Sequence, residues 1–154
     1  MRRAAALLIA AVCGLAVTGC STDAPRNSAG QVTATASVDP FKIVVGDCTG
    51  PMKDGDIESL QVVPCADPHY FEAYAATNLT GNSFPGEAEV SKQATKFCSA
   101  EFHTFIGVAT KDSSYDMYYL YPLEESWAAA DRQVLCLAGT AKGGVKGSLK
   151  GVGK

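Results

Sequence analysis

Cys20 closes the run Val17-Thr18-Gly19-Cys20, behind a positive start at Arg2 and Arg3 and an apolar or small stretch over residues 4–19. A cysteine sulfur is a strong nucleophile, and small residues ahead of it let a peptidase reach the backbone. The pattern therefore predicts a cleaved signal peptide over residues 1–19 and a thioether-linked, palmitate-type lipid on Cys20. The apolar stretch of 16 residues is shorter than the roughly 20 that a membrane-spanning helix needs. The expected outcome is a lipoprotein held on the outer, extracytoplasmic face of a membrane, where two or three acyl chains anchor firmly.

Few other residues have types and spacing suited to chemistry. Asp67-Pro68-His69 precedes Glu72 by three residues, which would suit a histidine poised by a carboxylate as ligand, pH sensor or base. The preferred reading is plainer: a turn histidine bonded to nearby backbone, with Glu72 facing solvent. Ser126-Trp127 followed by Asp131-Arg132 could form an aromatic and guanidinium patch for a sugar or a peptide carboxylate. Here the preferred reading is a clamp, with the fork of Arg132 donors on backbone carbonyls or a carboxylate. Glu124-Glu125 is the obvious adjacent carboxylate pair and reads as solvated surface. No catalytic triad, G-x-S-x-G, H-E-x-x-H or phosphate-binding glycine loop occurs, so no catalytic residue is assigned.

Six cysteines are present, of which Cys13 leaves with the signal and Cys20 carries lipid. An even set of Cys48, Cys65, Cys98 and Cys136 in an exported domain reads as two disulfides, with three possible connectivities. Cys48–Cys65 and Cys98–Cys136 are favoured, because the first brackets a hairpin-sized segment and the second could pin a helix to a following strand. A metal site built from these thiols with His69 or His103 lacks any tight C-x-x-C or H-x₃₋₅-H step, so no metal and no cofactor is expected. Losing Arg2 and Arg3 moves the formal charge from −3 to −5, which argues against a nucleic-acid partner.

Residues 21–40 are rich in Ser, Thr, Ala and Pro and read as part of a flexible tether over 20–40. Beyond it, β-branched and alternating stretches predict strands at Phe41–Cys48, Ile57–Cys65, Tyr70–Leu79, Tyr115–Tyr121 and Gln133–Thr140, with a loop over Thr49–Asp56. Val90, Ala94, Phe97, Cys98, Phe102 and Phe105 recur at steps of three and four, so a helix follows Pro85 and stops at Gly107. A short helical turn is expected over Glu124–Ala130. The Gly- and Lys-rich remainder, Ala141–Lys154, either adds an edge strand over Val145–Leu149 or frays. Its lysines, Lys142, Lys146, Lys150 and Lys154, read as a solvated tail or a contact for anionic lipid and wall polymer. The fold class is α+β: a small, mostly antiparallel sheet with one long helix packed on it and two disulfides.

The landmarks resemble the septum formation domain family of actinobacterial envelope proteins. The matching stretches are Val45-Gly46-Asp47-Cys48, Val63-Pro64-Cys65, Pro68-His69 with Glu72, Cys98, Pro122 to Trp127, Asp131-Arg132 with Cys136, and Gly147-Ser148-Leu149-Lys150-Gly151. The resemblance covers residues 41–151 and departs at Ala130, where the family pattern has glycine. It implies an extracytoplasmic module in cell division or septum formation, with no catalytic residues carried over. The expected function is a binding or scaffold module that meets the membrane through lipid and an envelope protein, division protein or cell-wall polymer. Its candidate binding residues are His69, Glu72, Trp127, Asp131 and Arg132. The competing expectations are a peptidoglycan-active enzyme and a small-ligand or metal-binding lipoprotein.

Overall fold

The computed structural model describes residues 23–52 and 57–153. The leader, Cys20, Lys154 and part of the expected loop over Thr49–Asp56 lie outside them. Six strands form one antiparallel sheet: β1 (Ala36–Val38), β2 (Cys48–Thr49), β3 (Leu60–Val63), β4 (Phe71–Asn78), β5 (Asp116–Leu120) and β6 (Gln133–Gly139). Their order is β1-β3-β2-β4-β6-β5, and the sheet curls. One long helix, α1 (Glu87–Ile106), and a short one, α2 (Glu124–Ala128), complete the regular structure beside single 3₁₀ turns. The α+β reading and both favoured disulfides, Cys48–Cys65 and Cys98–Cys136, are present.

The helix forms where its period predicts. Val90, Ala94, Cys98, Phe102 and Ile106 stand four apart and are all buried, giving one continuous stripe. Glu87 and Glu89 lie in the first turn, where the helix dipole favours negative charge. Gly107 ends the helix at φ 99°, a left-handed position that glycine adopts without a Cβ clash, and its N–H donates to His103 O.

Side chains alternate across β6, and both faces are covered. Val134, Cys136 and Ala138 pack with the stripe of α1, whereas Leu135 and Leu137 join Phe71, Ala73, Val62 and Ile43 on the opposite side. This explains why Gln133–Gly139 reads as a nearly unbroken apolar run. A β-bulge between Ala73 and Ala75 lets Tyr74 cross to the helix, where its hydroxyl donates to Cys98 O at 2.7 Å in a buried bond. Burial, with the charge of Glu101, pushes the Tyr74 phenol well up from its ordinary value.

Three expectations need correction. The strand expected over Phe41–Cys48 is a 3₁₀ turn at Pro40–Lys42 followed by a β-turn, with only Cys48–Thr49 extended. Asp39 accepts from Phe41 N and Pro40 presets the backbone, and these local bonds override β-branched propensity. The tether expected over 20–40 is, from residue 23 onward, part of the fold. Ala24, Val32 and Val38 are buried in the core, and β1 pairs with β3. Arg26 grips Asp47 with two nitrogens at 2.6 and 2.7 Å. Composition describes this segment poorly because three small apolar side chains and one ion pair suffice to seat it. Finally, the glycine-rich end does not fray. Val145 bridges His69, Leu149 is buried, and Gly151 and Gly153 donate to Phe105 O and Ile106 O.

Loop closure predicts that replacing Cys98 and Cys136 by alanine costs about 4 kcal/mol and replacing Cys48 and Cys65 about 3, read by chemical denaturation. Arg26→Ala strands a buried carboxylate and is expected to cost about 3 kcal/mol in the same measurement.

Candidate functional site

Two of the sequence motifs converge on β4, in the interior of the fold. Glu72 is 4 % exposed, so its carboxylate requires donors. Ser148 Oγ donates to it at 2.8 Å and Leu149 N at 2.6 Å, across 76 and 77 residues of sequence. Glu72 therefore faces the docked C-terminal segment, and the expectation that it faces solvent is corrected. His69 is fully buried, and its backbone exchanges two hydrogen bonds with Val145. Its Nδ1 lies 3.0 Å from Asp67 O; a carbonyl only accepts, so Nδ1 carries the proton. Nε2 has no hydrogen-bond partner among the described residues. His69 and Glu72 do not meet in a hydrogen bond, and neither is open to a ligand.

The Val45-Gly46-Asp47-Cys48 motif has an equally local logic. Gly46, at φ 95°, makes the β-turn in which Asp47 N donates to Val44 O. Asp47, 3 % exposed, accepts from Arg26 and from Val44 N. This hydrogen bonding raises the Arg26 pKa against the opposing effect of its partial desolvation. Cys48 then links to Cys65, whose carbonyl accepts from Gly147 N.

Trp127, Asp131 and Arg132 form a clamp between two loops. Arg132 lies 3.9 Å above the Trp127 ring, and its Nη1 donates to Trp127 O and Asp131 O while Nε donates to Gly81 O. Asp131 accepts from Ser126 Oγ and Gln133 N. The guanidinium is thus committed inside the fold. The turn that positions this clamp closes α2 with paired bonds, Asp131 N to Ser126 O and Ala130 N to Trp127 O, a Schellman arrangement. Ala130 occupies its left-handed position at φ 69°, so the sharp turn is made without glycine at the cost of a crowded Cβ.

What remains open is a groove lined by the sheet face opposite α1 together with Tyr119, Tyr121 and the first residue of α1, Glu87, with a cavity volume of about 1340 Å³. Its floor is aromatic and apolar: Tyr70, Phe71, Tyr118, Leu120 and Leu135, with Phe71 and Tyr118 in edge contact at 4.7 Å. Its rim carries Glu58, Glu87, Glu124, Glu125 and Asp131, and none of its described lining residues is basic. Glu58, Glu87, Glu124 and Glu125 are exposed at this rim. Tyr121 donates to Glu87 at 3.1 Å, and partial burial, then that carboxylate, raises its phenol. Among the expected binding residues only Asp131 reaches this groove. Sequence reasoning noticed Glu124-Glu125 as solvated surface and passed over the aromatic residues, because Tyr115–Tyr121 reads simply as a further strand. Its alternation held the missing signal, since Met117 and Tyr119 pack toward α1 while Tyr118 and Leu120 face away.

The arrangement stacks apolar or planar groups and attracts positive charge. His69 is sealed in the interior and His103 is exposed on α1, and neither lines the groove. All four described cysteines are paired, so the alternative metal site has no thiolate to use.

The family model described as Septum formation matches residues 10–136. Two relatives from Mycobacterium tuberculosis strains, each named an uncharacterized membrane protein, are 27 % identical over 158 residues, 85 % of this chain. The chain spans about a third of their length, 34 % in each case. No solved structure matches.

Glu72→Ala removes the acceptor that docks the C-terminal segment; an expected loss of about 2–3 kcal/mol should accompany faster amide exchange at Leu149 and its neighbours. Ala130→Gly should raise stability by about 0.5–1 kcal/mol, the relief of left-handed strain less the extra unfolded-state entropy, visible as a higher Tm.

Proposed function

We propose, for a chain that belongs to the septum formation family, a lipid-held extracytoplasmic binding module that engages an envelope or division protein during septum formation. The signal pattern ending at Cys20 supports the anchor, and the relatives' naming as membrane proteins agrees with it. A domain spanning 23–153 would follow the lipidated residue almost directly.

The observation that carries the binding role is the acid-rimmed aromatic groove. Aromatic walls give large contact area at low cost in side-chain entropy, and carboxylates without cations select a positively charged occupant. The occupant that fits is a segment of a partner protein with Lys or Arg between apolar residues. The β5 edge of the sheet lies alongside and offers backbone groups to an extended chain. The role we propose is binding, not catalysis.

A photo-crosslinker at position 120 of the full-length chain should capture an identifiable envelope or division protein in dividing cells. Glu124→Lys with Glu125→Lys should cut that capture at least fivefold, and raised salt should weaken it. A tagged copy should mark new septa. Capture unaffected by the charge reversal, or a copy spread evenly over the envelope, sinks the reading.

A further inference from the structure

We propose that the stretch Phe41–Val45 is a membrane-contact surface that enters the headgroup region beside the anchor, so that the domain lies flush on the bilayer. The proposal rests on the lipid anchor of the preceding section.

Four large hydrophobic residues are exposed among the described residues, and three of them, Phe41, Val44 and Val45, fall within five positions of one another. Their exposures are 55 %, 50 % and 52 %, while Ile43 between them is fully buried and fixes the backbone to the core. Val44 opens the turn closed by Asp47 N and Val44 O, and Val45 stands at its tip. Half-exposed apolar side chains clustered on a rigid turn mark an interaction site.

Two contacts show what this turn faces. Lys42 Nζ lies 3.4 Å from Asp23, and Asp47, at the far end of the turn, is held by Arg26. Asp23 is three residues past Cys20, and Arg26 is six past it. A polypeptide extends at most about 3.6 Å per residue, so Asp23 can stand no more than about 11 Å from the acylated residue and Arg26 no more than about 22 Å. A thioether-linked diacylglycerol fixes its cysteine at headgroup depth. The two ends of the exposed turn are therefore bound to residues that the anchor keeps within reach of that depth. Valine and phenylalanine gain from leaving water there, and the Lys42 ammonium can meet anionic headgroups. Phe41 also lines one end of the acidic groove, which this orientation places next to the bilayer surface.

The test uses the full-length chain, acylated in its host and reconstituted into phosphatidylcholine–phosphatidylglycerol vesicles. Acylation is read separately by mass spectrometry of the Cys20 peptide. The wild-type chain has one tryptophan, the buried Trp127, as an internal baseline. With brominated phosphatidylcholine, the added emission of Val45→Trp should fall at least twofold, that of Phe41→Trp should follow, and wild-type emission should not change. An acylated chain whose Val45→Trp emission falls no further than wild type overturns the contact and leaves the anchor standing. An unacylated Cys20 overturns the anchor and this inference together.

Discussion

A carboxylate removed from water must find donors, and this requirement organises both ends of the chain. Asp47 and Glu72 are the buried carboxylates among the described residues. Their backbones are close, since Cys48, the residue after Asp47, is the register partner of Glu72 and Ala73 N donates to Asp47 O. Asp47 takes the guanidinium of Arg26 from the N-terminal side, and Glu72 takes Ser148 and Leu149 from the C-terminal side. The apolar side chains that these segments bury are few: Ala24, Val32 and Val38 on the first, and Val145 and Leu149 on the second. An unpartnered buried carboxylate would cost several kcal/mol, which makes the undocked arrangement expensive. The two acids thus act as fasteners.

Around these fasteners the fold is stiff. The Cys98–Cys136 disulfide and the Tyr74 hydroxyl on Cys98 O join α1 to β6 and β4, and Cys48–Cys65 joins β2 to the segment after β3. The Trp127–Arg132 clamp joins the loop after β4 to the turn after α2. Most of the family motifs are therefore spent on holding segments together. The surface available for recognition draws its floor from strands that carry no motif, and only part of its rim, Glu124, Glu125 and Asp131, from the family stretches. Its aromatic floor stays rigid because Phe71 and Tyr118 belong to paired strands.

That division separates what was legible in the residues from what was not. The helix from Glu87 to Ile106, the glycine that ends it and the apolar run of β6 follow from local periods; of the expected helix face Val90, Ala94, Cys98 and Phe102 are buried, while Phe97 and Phe105 are half-buried and Ile106 completes the stripe. The Cys98–Cys136 disulfide follows from the same elements, since a cysteine on the inner face of a helix meets one on the strand below, whereas Cys48–Cys65 is favoured only by its hairpin-sized separation. His69, Glu72, Trp127 and Arg132 attract notice as polar or aromatic residues in ordered motifs. Their partners, however, are backbone groups of distant segments, and no local pattern announces a backbone partner.

Taken alone, the amino-acid sequence determined the helices, most of the strands, the acidic balance and the signal that points to a membrane, and it favoured the cysteine pairing that the structure has. These depend on nearest neighbours, helical or strand period and chain composition. Only the tertiary structure decided that residues 23–40 and 141–153 belong to the body, that Glu72 turns inward, and that Tyr118 and Leu120 look into an acid-rimmed groove. Each of those outcomes depends on which polar group must be satisfied after burial and on which face of a curled sheet is left uncovered. Both are properties of contacts between residues as far apart as Glu72 and Leu149, 77 positions along the chain.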